Sequence, residues 1–306
     1  MNATRLYKIF NIAPIIKNDI WGYQYIAGFY HELKKTSVSD VGIDFSLCRM
    51  FDANLSSALG AIIDLLTEEG FRISLLNIDK STAGVRRALT RNGFLKAFDI
   101  QTYNQERENF ILYRKFSTTE QEEFKQYIWE DLINKQKFPK HTEAAGESIQ
   151  ESIFEIYTNS ILHGACSYVY CCGEYISRSN PPTLDMTIVN LGTTIKDNVN
   201  QYMALLNKPP LSSCGCIEWA IMDGNTTKNV PGGLGFTMIC NFIYGNQGKL
   251  QIISSDAYWE FSDDGCKSAK MDFCFPGTIV NMEFNINDDK VYYVGEEDKT
   301  NIDNIL

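Results

Sequence analysis

The chain has 306 residues, 44% apolar and 22% charged, which is the make-up of a folded protein long enough for two domains with separate cores. Its 38 Asp and Glu outweigh 28 Lys and Arg, and a net charge of −10 gives no attraction for nucleic acid or anionic lipid, so neither is expected as a partner. No apolar run reaches the ~20 residues of a membrane span, the start MNATRLYKIF has no apolar signal core, and nine scattered cysteines form no disulfide framework, so a cytoplasmic protein with reduced thiols is predicted.

In chain order, an apolar start leads into a predicted helix over KNDIWGYQYIAGFYHELKK, whose large apolar residues recur every three to four positions. Residues 41–48 read as a strand, 53–70 as a helix closed by a glycine, 72–78 as a strand and 82–94 as a helix, an alternation that predicts a small α/β unit with parallel pairing. A charged helix is expected over 117–138, capped by Ser117 or Thr118, and a longer helix over 141–164. Strands follow over 166–176 and 183–192. The stretch 196–231, rich in Asn, Gly and Thr, reads as a loop with a short helix at 216–224. A glycine cluster then opens another helix, and strands are predicted over 249–254, 258–263 and 278–286. The pairs Cys171-Cys172 and Cys214-Gly215-Cys216 lack the histidines and second cysteine pair of a zinc site, so no zinc site is predicted.

Within FEIYTNSILHG, Glu155, Asn159 and His163 fall in roughly an 80° sector of a helix, while Ile153, Phe154, Tyr157 and Ile161 cover the other side. Taken alone, this row also fits a solvated helix face. Gly232-Gly233-Leu234-Gly235 stands at a loop-to-helix junction, where backbone N–H groups and the helix dipole receive phosphate, although a tight packing turn has the same appearance. Asn190-Leu191-Gly192 ends a strand, where the glycine would let a base or sugar approach and the amide could bond a base edge; a plain strand-end turn is the alternative.

The order Glu155-x-x-x-Asn159-x-x-x-His163, Asn190-x-Gly192, Gly224-Asn-Thr-Thr-Lys228, Gly232-Gly-x-Gly235 and Pro276-Gly-Thr278 resembles the Bergerat-fold (GHKL, histidine-kinase-like) ATPases over about residues 140–290. The resemblance implies a two-layer α/β sandwich with a mixed sheet that binds ATP and Mg²⁺. It assigns Asn159 to the metal, Glu155 to general-base activation of water, and His163 to support of the site. Nucleotide contacts are implied for Asn190, Gly192, Thr226, Thr227, Lys228, Gly232, Gly233, Leu234, Gly235 and Thr278, with 196–231 as a mobile lid. The family usually has an Asp at the position of Asn190, so the base contact differs here.

VGIDFSLCRMFDANLSSALGAIIDLL resembles the strand–loop–helix of STAS-like domains over about residues 36–115, with Ala53 near the place of their phosphate-accepting Ser. The expected organisation is a STAS-like α/β domain over 1–116, a connector helix over 117–139, the ATP-binding domain over 140–290 and an acidic tail over 291–306. The expected function is slow ATP hydrolysis driving a conformational or partner-binding switch in signalling or defence, with an unidentified protein or a second copy of the chain as partner. An anti-sigma-type serine kinase and a non-catalytic nucleotide-sensing scaffold are the alternatives.

Overall fold

A computed structural model describes residues 7–101, 110–222, 224, 225, 227, 234–294 and 302–304. In chain order its elements are β1 (Tyr7–Asn11), β2 (Ile15–Ile16), α1 (Ile20–Lys34), β3 (Asp40–Asp44), β4 (Met50–Phe51), α2 (Ser56–Glu68), β5 (Arg72–Leu76), α3 (Ala83–Arg91), α4 (Phe94–Ala97), β6 (Phe110–Ser117), α5 (Gln121–Ile128), α6 (Glu143–Gly164), β7 (Tyr168–Ile176), β8 (Thr183–Leu191), α7 (Ile195–Leu205), α8 (Ser213–Ile221), α9 (Leu234–Gly245), β9 (Lys249–Ser262), β10 (Gly265–Asn285), β11 (Val291–Tyr293) and β12 (Ile302–Asn304). Helices and sheets of both parallel and antiparallel kind make this an α/β protein.

The expected parallel pairing of the N-terminal unit is present in a sheet of order β1-β3-β5. The central sheet has the order β6-β7-β8-β10-β9 and is antiparallel at all four pairings, so the expected mixed sheet is corrected. β6 runs across the boundary expected at residue 116 and forms the edge of this sheet, which also shortens the expected 117–138 helix to α5 and a π-helical turn at Trp129–Ile133.

Strand alternation divides the central sheet between two cores. Leu184, Met186 and Ile188 of β8 face α6 and join a core with Ile149, Ile153, Phe242 and Trp259. Val189 of β8, with Tyr170 and Cys172 of β7, faces the N-terminal unit and joins a core with Leu55, Leu59, Ile62 and Phe29. The sheet is thus the middle layer of the molecule.

The N-terminal face also carries buried polar groups, each with a partner from the N-terminal unit. Ala53 N–H donates to Glu174 Oε2 at 2.6 Å, and Asn54 Nδ2 donates to Thr187 Oγ1 at 2.9 Å and Asn281 Oδ1 at 3.1 Å. Asn18 Nδ2 reaches Asp185 Oδ2 at 2.7 Å, and Arg178 bridges Asp52 and Glu174.

The 82–94 helix divides into α3 and α4 at Gly93, whose φ is +80°. The two strands expected over 249–254 and 258–263 are one strand, β9, which forms a long hairpin with β10. Among the described residues no helix is long and apolar enough to cross a membrane, no group of His, Cys, Asp and Glu could hold a metal, and all nine cysteines are free.

Candidate functional site

Thr142 starts α6 by accepting from Ala145 N–H through its hydroxyl, and Ala165, left-handed at φ 49°, ends it. Between these caps, Ile149, Ile153, Ile156 and Tyr157 are buried against the sheet. That anchorage fixes the rotation of the helix. Glu155, Asn159 and His163, one turn apart, are half-buried along one wall of a pocket.

The opposite wall comes from the sheet. Asn190 of β8 and Thr278 of β10 are directly paired across the strands, and both line the pocket with Val280. Thr278 Oγ1 lies 2.9 Å from Ser254 Oγ, which also donates to Gly277 O at 3.0 Å and accepts from Ile195 N–H at 3.0 Å. Ser254 therefore ties the start of α7 to the sheet.

α7 and α8 close a third side with Ile195, Asn198, Val199, Trp219 and Ala220. A capping box starts α7: Thr194 Oγ1 accepts from Asp197 N–H, and Asp197 Oδ2 accepts from Thr194 N–H at 3.1 Å. Asn198 Nδ2 donates to His163 O at 2.9 Å, joining α7 to the C-terminal turn of α6. Thr227 Oγ1 lies 3.3 Å from His163 Nδ1. The pocket holds about 910 Å³ of free space counted out to its open mouth.

Six of the predicted residues thus share one pocket: Glu155, Asn159, His163, Asn190, Thr227 and Thr278. Leu234 and Gly235 open α9, which runs beside α6 with Ser152 Oγ 3.0 Å from Met238 Sδ. Thr226, Lys228, Gly232 and Gly233 lie outside the described residues.

Gly192 has a different place from the one expected. Its φ is +122°, and a Cβ there would stand 2.2 Å from Gly164 O, so the space beside it is filled by the end of α6. The glycine serves this close packing, and Thr193 N–H donates to the same Gly164 carbonyl at 2.8 Å.

Within 196–231 the short helix expected at 216–224 is present as α8, while α7 stands where a loop was expected, and the wall residues the two helices supply have no counterpart among the predicted site residues. Thr194-x-x-Asp197 before an apolar run was the legible signal for α7. Gly164, which gives Asn190 its room, had no signal of its own.

The chain matches no protein-family model, no curated protein and no solved structure in comparisons with each.

Proposed function

We propose that this pocket binds ATP with Mg²⁺ and hydrolyses it slowly, as a switch that alters contacts with another protein. The convergence of Glu155, Asn159 and His163 of one helix upon Asn190 and Thr278 of the sheet carries the reading. These five, with Thr227, are the part of the motif series resembling the Bergerat-fold ATPases that lines the pocket.

The donor set suits Mg²⁺, which binds oxygen and is commonly held by few protein ligands together with substrate phosphates. Asn159 would hold it through its amide oxygen, and the ion would neutralise charge on the phosphates. Glu155 is one turn away on the same wall, where a carboxylate can orient a water and take its proton. His163, bonded to Thr227, supports the wall near the mouth.

Transfer of phosphate to the chain's own N-terminal unit is disfavoured. Ala53 has no hydroxyl, is fully buried, and gives its N–H to Glu174.

Calorimetric titration with ATP and ADP, with and without Mg²⁺, tests the reading. Binding by the parent chain and its loss in Asn159→Ala, at unchanged thermal stability, is the expected result. Absence of binding to the parent would overturn it. Glu155→Gln is expected to bind ATP but release no phosphate; unchanged turnover would remove Glu155 as the base.

A further inference from the structure

The side chain of Asn190 makes no hydrogen bond with any described residue. It is 4% exposed, lines the pocket, and its Nδ2 is a buried donor without a partner. Buried donors are rarely left so unless a ligand or water completes them. The carboxamide packs at Gly164, where a Cβ would stand 2.3 Å from Nδ2 and 3.8 Å from Oδ1. No hydrogen bond decides which end of the amide faces which way.

We infer that Asn190 makes this site indifferent between 6-aminopurine and 6-oxopurine nucleotides. The inference rests on the nucleotide reading above. A carboxamide carries one acceptor and one donor. One end of it lies against Gly164, so the other end meets the ligand. Adenine offers a donor at N6–H and hypoxanthine an acceptor at O6, and rotating the amide by half a turn turns its oxygen to the one or its nitrogen to the other. A carboxylate at this position has only acceptors and would meet O6 with like charge, so it would favour the 6-amino group. Ile156, Val199, Val280 and Trp219 give the pocket apolar wall on which the rest of a base can pack.

The test compares ADP, IDP and the diphosphate of unsubstituted purine riboside, each titrated with Mg²⁺ into the full chain. The last has no group at position 6, so it lacks the partner of the amide. ADP and IDP are expected to bind within about threefold of each other, and purine riboside diphosphate about tenfold more weakly. In Asn190→Ala, with folding checked by thermal unfolding, the three are expected to converge within about threefold. A tenfold or greater preference for ADP over IDP in the parent overturns the inference while leaving the nucleotide reading intact. Equal binding of ADP and purine riboside diphosphate by the parent overturns it too. If none of the three binds, the nucleotide reading falls and takes the inference with it.

Discussion

Gly164 is the residue on which the two walls of the pocket depend. Alanine is ordinarily better than glycine in a helix by about 1 kcal/mol. At this position its Cβ would stand 2.3 Å from Asn190 Nδ2 and 3.2 Å from its Cγ, so the amide would have to leave its place. Gly164→Ala is therefore expected to change thermal stability by only about 1 kcal/mol, because the clash is relieved by a side chain, while nucleotide affinity falls about tenfold. Calorimetry beside a melting curve separates the two effects; undiminished affinity would mean that the amide does not touch the ligand. Gly192 differs because what crowds it is backbone, the Gly164 carbonyl, and a left-handed φ of +122° adds to the demand for glycine.

At the scale of elements, the row on α6 was legible because its polar residues interrupt an apolar pattern at helical spacing, and burial of Ile149, Ile153 and Ile156 turns that row toward the pocket. Strand β8 was legible from its apolar run, but its pairing was not. Nothing local to Asn190 announces that Thr278 sits opposite, because register is a long-range property. The single strand β9 read as two because Ser255 has φ 54° and the pairing with β10 slips between Lys270 and Thr278, which breaks the alternation. Just before α2, the side chain of Asn54 is spent on the central sheet, with Thr187 and Asn281, which are far from it in sequence. Asn54 is fully buried, so Asn54→Ala is expected to cost about 1–3 kcal/mol, read as a lower denaturant midpoint at unchanged slope. A midpoint equal to the parent's would show that these bonds add nothing net.

For the whole molecule, the decisive arrangement is that the central sheet is covered on both faces, by α6 and α9 on one and by the N-terminal unit on the other. The second interface is acidic. Asp185, Glu283 and Glu174 project from the sheet beside Asp52 and Glu260, with Arg178 and Lys249 as the nearby cations. Burial pushes the carboxyl of Glu174 from 4.5 to about 6, against the opposing hydrogen bond from Ala53 and the charge of Arg178, and burial also raises Asp185 and Glu283. A raised carboxyl keeps its proton in the folded chain at a pH where the unfolded chain has lost it. Its contribution is therefore most favourable below the unfolded value and is lost as pH rises through the folded one. For Glu174 that window runs from 4.5 to about 6, and a displacement of this size corresponds to roughly 2 kcal/mol. Glu174→Gln keeps an acceptor for Ala53 N–H and cannot ionise. Relative to the parent, the variant is expected to gain roughly 2 kcal/mol of stability between about pH 4 and pH 7, with most of the change inside that window. Denaturant titrations of both proteins at half-unit pH steps measure this difference directly. A difference that stays flat with pH, or that favours the parent as pH rises, would mean that Glu174 is ionised without penalty and that the N-terminal unit does not hold it dry against the sheet.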